Sequence, residues 1–427
     1  MARIGSSWAQ AAGGILRLLG RPVRRAQGES GVVLEPYRGY GTRSELFLIG
    51  RVFRQSSSGA GGPNGIASEL RDIGRRLARR TIAGAVVTAR FHGAEERVTT
   101  DRDGYFRVHL RPATEPPVQD RWHPIALTLE EPQVVDAQGQ VFIPPPGSRF
   151  VVISDIDDTV MQTGVANKLA MLWRLFVADA QSRVAFPGVA AFYRALHAGL
   201  SGDEGNPMLY VSRAPWGIYD VLDEFFDLHG IPVGPVLFLR EWGISWRSPL
   251  PRKAADHKQE LIRNMLELYS DLPFVLIGDS GQHDPEVYRQ IVEEHPGRVL
   301  AVYIRNVSRA PRRIAEIEEL AVAVAAAGSS LVLAADSLTM ARHAADLGLV
   351  PESSIPQVAG ERLEQGQATQ PSGTEQVTRA SPEQTADAVR GGEVAELLTT
   401  GSDEAAPTVV VAPAEPKRPE DAEERSG

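Results

Sequence analysis

The stretch "VVISDIDDTVMQTGV", residues 151–165, sets an apolar run directly against Asp155, Asp157 and Asp158. A continuous apolar run of this length bounded by polar residues reads as a strand buried on both faces, the kind found in parallel sheets. Three carboxylates crowded at its end repel one another, so packing alone does not explain them. A positive partner is required.

Working outward, the same pattern recurs four times. "PMLYVSRAP", "VGPVLFLRE", "LPFVLIGDS" and "RVLAVYIRN" are short apolar runs ending in polar or charged residues. Helix-like stretches separate them: "FPGVAAFYRALHAGL", "WGIYDVLDEFFDLHG", "HKQELIRNMLELY" and "PEVYRQIVEEH". Such alternation predicts an α/β domain over residues 148–350, a parallel sheet with helices on both faces. "SSLVLAADSLTMARHAADLGL" supplies a last strand and helix. In sheets of this kind ligands bind beyond the carboxyl ends of the strands, so the residues ending each run carry the interest.

Residues 45–145 read differently. "ELFLIGRVF", "AGAVVTARFHG" and "ERVTTDRDGYFRVHL" are β-rich, with a turn signal at Asp103-Gly104. Several short strands with proline punctuation predict an all-β sandwich-like domain, and "VFIPPPGSR" after it reads as a stiff connection. Residues 1–44 are an N-terminal segment, helical or partly ordered. In it "WAQAAGGILRLLGRPVRR" places its arginines after the apolar residues, the reverse of a secretory signal. Beyond residue 351 the aromatics vanish and Glu, Gln, Ser, Thr, Pro and Ala dominate, which predicts a disordered acidic and polar tail over 351–427.

The bulk numbers set limits. A chain of 427 residues exceeds one ordinary core. A net charge of -9 argues against a nucleic-acid binder. With no cysteine there is no disulfide framework or thiolate zinc site, and a cytoplasmic location is expected. No apolar stretch reaches the roughly 18 residues that a membrane span needs.

The strand ends together form a constellation. The first offers Asp155, Asp157 and Thr159; the second Ser212 and Arg213; Lys258 lies in the helix before the fourth run, which ends in Asp279 with Asp284 following. Each has an ordinary reading alone: a solvated turn for the aspartates, a helix N-cap for Ser212, a surface lysine for Lys258. Their order along consecutive strand ends outweighs those readings. The set resembles the haloacid dehalogenase superfamily of phosphohydrolases, with its D-x-D-x-T, strand-end Ser or Thr, Lys and acidic G-D motifs. "DIDDTVMQTGV", "YVSRAPWGIYDVL", "HK" and "FVLIGDSGQHDPEVY" are similar to the catalytic domain of the actin-patch phosphatidate phosphatase family.

That resemblance implies a Rossmann-like sheet and a Mg²⁺-dependent phosphatase working through an aspartyl-phosphate. Asp155 would be nucleophile and metal ligand. Asp157 would be general acid and base, bound to the metal through its backbone carbonyl. Asp279 would complete the metal site, with Asp284 either a further ligand or a partner that orients one, while Ser212, Arg213, Lys258 and Thr159 serve the phosphate. An aspartate acting as acid needs a pKa raised from about 3.9, which burial and neighbouring carboxylates promote. Asp158 falls off the motif and reads as structural, as does the strand-end Asp336; His257 has no assigned role. Phosphatidate is the expected substrate, with a soluble or protein phosphomonoester, or an inactive scaffold on the same fold, as alternatives. "FLREWGISWRSPLPRK" adds Trp242, Trp246, Arg240, Arg252 and Lys253, a mix suited to an anionic lipid at a membrane surface.

Overall fold

The computed structural model describes residues 31–54, 80–156, 188–212, 219–238, 254–308, 310–368 and 409–411. Two sheets organise them. The first comprises β1 (Val32–Pro36), β2 (Gly39–Gly41), β3 (Leu46–Arg54), β4 (Arg80–Thr81), β5 (Val86–Phe91), β6 (Ala94–Thr99), β7 (Tyr105–Leu110), β8 (Trp122–Glu131) and β9 (Val135–Phe142).

Alternation builds this β-rich part. In β8, His123, Ile125, Leu127 and Leu129 are buried while Pro124 and Ala126 between them face out. The β5–β6 hairpin turns on His92 and Gly93, both at positive φ, the backbone that a tight two-residue hairpin demands. Asp101 builds the next turn by accepting the Asp103 and Tyr105 N–H groups, with Gly104 at φ 80°.

One expectation is corrected here. The β-rich part begins at Val32 rather than residue 45, because all five residues of β1 are buried and pair with β3. The nine strands are joined by hydrogen bonds into one continuous path, around a core lined by β1, β3, β5, β7, β8 and β9. The cause is β3, whose nine residues serve several partners. It pairs with β2 near its start, with β7 along Leu46–Arg51, and with β1 and β4 near its end.

The second sheet comprises β10 (Val151–Asp155), β11 (Met208–Ser212), β12 (Val236–Phe238), β13 (Phe274–Asp279), β14 (Val299–Arg305), β15 (Ser330–Ala334) and β16 (Val409–Val411). Its order is β12-β11-β10-β13-β14-β15-β16, parallel throughout except for the antiparallel β16. The helices are α1 (Val189–Ala198), α2 (Tyr219–His229), α3 (Ala254–Leu268), α4 (Asp284–Glu294), α5 (Pro311–Ala326), α6 (Ser337–Asp346) and α7 (Ile355–Ala368).

Successive strand residues feed opposite cores. Val152, Tyr210, Val275, Ile277 and Tyr303 pack with α1, α2, α6 and α7 on one face. Val151, Ile153, Leu209, Leu276 and Val302 pack with α3, α4 and α5 on the other. The β-rich part enters both: Tyr37 joins the first core and Tyr40 the second.

Residues 351–368, expected as part of a disordered tail, are structured. Glu352–Ser354 form a 3₁₀ turn, α7 follows, and Val358 is fully buried. Arg194 pairs with Glu361, whose other carboxylate oxygen accepts the Ala191 N–H at 2.9 Å. The polar composition hid this helix, since among its described residues only Ile355, Val358 and Ala359 join the core beside α1 and the sheet. Residues 369–408 and 412–427 lie outside the described set, as do residues 1–30.

Candidate functional site

The chain runs from β10 to β11 and β12 on one side of the sheet, then returns to β13 on the other. The order therefore reverses between β10 and β13, and a crevice opens at their carboxyl ends. Asp155 ends β10 and Asp279 ends β13, so the two flank the reversal. Ser212, fully buried, ends the neighbouring β11.

Lys258 is delivered by α3. Its Nζ donates to Asp155 Oδ2 and to Asp284 Oδ1, each at 2.6 Å, and the side chain is 1% exposed. The ammonium also lies 5.3 Å from the Tyr288 ring centroid, within reach of cation–π attraction. Burial by itself would lower the Lys258 pKa; Asp155 and Asp284 outweigh it and raise the pKa well above the ordinary lysine value.

Asp284 opens α4 and is completely buried. Its Oδ2 accepts the Asp279 N–H at 3.2 Å. Burial pushes its pKa up to about 7, against the pull of Lys258 and with a further push from Asp155. Gly278 makes this approach possible: a Cβ there would lie 2.3 Å from Asp284 Oδ2. Asp279 in turn accepts N–H groups from Gly281 at 2.7 Å and Gln282 at 3.0 Å, and the Gln282 side-chain amide at 3.1 Å.

Carboxylate oxygens of Asp155, Asp279 and Asp284 lie within 4.8 Å of one another. Three carboxylates gather here, two of them bonded to one ammonium, and the atoms they offer are all oxygen. That donor set suits a hard divalent cation such as Mg²⁺ or Ca²⁺, so these residues fit the metal that the resemblance implies.

The surroundings hold the loop in place. Arg313 of α5 donates through Nε to Ser280 O at 2.9 Å and through Nη2 to Gln282 O at 2.8 Å, while pairing with Glu286. Ser280 Oγ accepts the N–H groups of Val307 and Ser308. On the other core face, Tyr193 Oη meets Ser154 Oγ at 2.6 Å, beside Asp155. Arg305 ends β14 level with Asp279.

Of the residues singled out from sequence, the structure brings together Asp155, Lys258, Asp279 and Asp284, with Ser212 at the adjacent strand end. Asp157, Asp158, Thr159 and Arg213 lie outside the described residues, as do Arg240, Trp242, Trp246, Arg252 and Lys253. Asp336 caps α6 by accepting the Thr339 N–H at 3.0 Å, a structural role. Sequence reasoning missed Gly278, Tyr288 and Arg313. Only the Gly-Asp pair offered a signal; the other two depend on which way α4 and α5 face.

Residues 150–306 match the model of a family described as the catalytic domain of phosphatidate phosphatase APP1. The chain is also similar to phosphatidate phosphatase APP1 of Saccharomyces cerevisiae, 35% identical over 155 residues, which is 36% of this chain and 25% of the yeast protein. An uncharacterized protein of Schizosaccharomyces pombe is 25% identical over 217 residues, half of this chain and 35% of the other. The chain thus spans about a quarter to a third of the length of these relatives. Among solved structures, a carbohydrate acetylesterase from Xanthomonas citri aligns over 67% of this chain and 71% of its own at 11% identity, with a TM-score of 0.22. A score that low has no bearing on the fold. No helix among the described residues is long and apolar enough to cross a membrane.

Proposed function

We propose that the chain is a Mg²⁺-dependent phosphatase, of haloacid dehalogenase type, that hydrolyses a phosphomonoester through an aspartyl-phosphate, with phosphatidate as substrate. The observation that supports this most is the buried Asp155–Lys258–Asp284 chain at the β10–β13 reversal, inside the family-matched segment.

Asp155 stands at the strand end where the phosphorus arrives, and its carboxylate oxygen attacks in line. The P–O bond to the leaving group breaks as the new P–O bond forms, and the leaving oxygen takes a proton. Asp157, two residues on in sequence, is the assigned donor. It then takes a proton from the water that attacks the phosphoenzyme, releasing inorganic phosphate and restoring the Asp155 carboxylate. Lys258 keeps its charge and counters that of the phosphoryl oxygens, with Ser212, Arg213 and Thr159 as further phosphate contacts. Asp155, Asp279, Asp284 and the Asp157 carbonyl would hold Mg²⁺, which when bound neutralises the repulsion between carboxylate and phosphate.

The lipid substrate rests on the relatives and on the aromatic and basic residues of 238–253; the site would act at a membrane surface from the cytoplasm. The test is phosphate release from an aryl phosphate with and without Mg²⁺, then from phosphatidate in mixed micelles against a panel of soluble phosphomonoesters. Asp155→Asn should abolish release while leaving the fold intact. A mutant as active as wild type rejects the mechanism, preference for a soluble metabolite rejects the lipid, and an inert wild type leaves a scaffold.

A further inference from the structure

The corner between β1 and β2 carries Tyr37 and Arg38, and it reaches across to α2. The rings of Tyr37 and Tyr219 lie 4.5 Å apart, centroid to centroid. The Arg38 backbone N–H donates to Tyr219 Oη at 3.0 Å. One turn along α2, the Arg38 guanidinium pairs with Asp223, and it lies 6.0 Å from the Trp122 ring of β8. Tyr219 is 1% exposed and also faces Phe238, the last residue of β12, at 6.5 Å.

Tyr219 is not an arbitrary point on α2. It is the first residue of that helix, and Ser212 at the end of β11 is seven positions before it. Phe238, which Tyr219 faces, is the register partner of Ser212 across β11 and β12, so the β-rich part bears on that strand end through Tyr219 and Phe238. The apolar face of α2, through Leu222 and Phe226, packs on the parallel sheet. Apolar contact is non-directional and leaves small rotations and slides of a helix inexpensive. A hydrogen bond and an ion pair one turn apart are directional and remove both freedoms.

We propose that the β-rich domain is a working part of the phosphatase centre: Tyr37 and Arg38 are positioning residues that fix the start of α2, and through it the placing of Ser212 against the incoming phosphate. This rests on the phosphatase reading above. It assigns a catalytic consequence to a contact that a purely architectural view would count as glue between two folded parts. Displacements near 1 Å at a phosphate-holding group are enough to lower kcat/KM by factors of about 10 to 100.

The experiment uses the full chain with Arg38→Met, Tyr219→Phe, and the exchanged pair Arg38→Asp with Asp223→Arg. Two readouts are taken: kcat and KM on an aryl phosphate with Mg²⁺, and the Kd of inorganic phosphate by calorimetry. Thermal melts report folding, and Arg43→Met, which removes an exposed ion pair with Glu115 in the same domain, is the control. The expected result is a fall in kcat/KM of about 10-fold in Arg38→Met and Tyr219→Phe. It should be carried by KM and matched by weaker phosphate binding, with partial recovery in the exchanged pair and no change in the control. Folded variants with unaltered kcat/KM and phosphate Kd overturn the proposal. Tyr219→Phe removes only one hydroxyl, so it decides the matter if Arg38→Met fails to fold. Should the wild type bind phosphate and the variants bind it more weakly, with no phosphomonoester turned over, the positioning role stands and the phosphatase reading falls. A wild type that neither binds phosphate nor turns over substrate removes both.

Discussion

Lys258 Nζ donates to Asp284 Oδ1 at 2.6 Å, and neither side chain is more than 1% exposed. A buried pair of this kind contributes little net stability when intact, but removing one member strands the other charge. Lys258→Met leaves both Asp155 and Asp284 without their ammonium. We expect it to destabilise the protein by about 3 kcal/mol and to abolish phosphate release. Adding Asp284→Asn should restore part of the stability and none of the activity. Urea unfolding of the two single variants and the double variant checks this; additive losses would mean the two residues are not coupled.

Asp284 carries a pH signature in metal-free protein. Its folded pKa is pushed to about 7 by burial, above an unfolded value of 3.8. Between those values the folded state holds a proton that the unfolded state has released. Stability from this group is therefore full below about pH 4 and is lost as the pH rises through 7. With chelator present, wild type should lose stability relative to Asp284→Asn between pH 4.5 and 7.5. Added Mg²⁺ should act in the opposite direction, raising Tm more at pH 8 than at pH 5, because a bound cation competes with that proton. Parallel pH profiles for wild type and variant would refute the assignment.

Two glycines give opposite expectations. At Gly278 an added Cβ would meet Asp284 Oδ2 at 2.3 Å and Asp284 Cβ at 2.7 Å. Asp284 is locked by Lys258 and cannot step aside, so Gly278→Ala should cost about 1–3 kcal/mol and weaken Mg²⁺ binding. Gly360 lies in α7 with nothing within 4 Å of a new Cβ. Gly360→Ala should add about 0.5–1 kcal/mol by helix propensity. Thermal melts and Mg²⁺ titrations of both variants test the pair of claims.

The strands of the parallel sheet were legible because strands buried on both faces leave continuous apolar runs, and Asp155, Ser212 and Asp279 could be placed at their ends from that pattern alone. Lys258 was legible only through its company. Other features left no such trace. In β1, "VVLEP" joins Glu35 and Pro36 to three apolar residues, and β2 is "GYG", so both look like loop. Gly39 is required because a Cβ would fall 2.4 Å from Phe47 O, a constraint set by pairing with a strand still to come. The role of Arg313 is tertiary: it holds a loop about thirty residues away through that loop's backbone carbonyls, which carry no residue identity. The joining of all nine strands turns on β3 lending both edges to several partners, a matter of register rather than composition.

The far end of the chain offers the last test. "VVV" at 409–411 forms β16, pairing antiparallel with Leu331–Leu333 and covering the outer edge of β15. An uncovered edge strand exposes a row of unpaired N–H and C=O groups, and β15 is buried along its whole length, so it carries no charge to repel a partner. Removing residues 407–427 should leave the fold and phosphate release unchanged at low concentration. It should also produce concentration-dependent association, as β15 edges of two copies pair. Removing residues 351–427 should be far more damaging, since it strips Val358 from the core along with the Glu361 contacts to α1 and the Arg362–Asp336 ion pair at 3.1 Å. Loss of a buried valine alone costs roughly 1.5–3 kcal/mol. Sedimentation velocity across a concentration series and urea unfolding of both truncations separate the two effects. A monomeric 1–406 fragment would show that β15 needs no cover, and a 1–350 fragment as stable as 1–368 would show that α7 is dispensable.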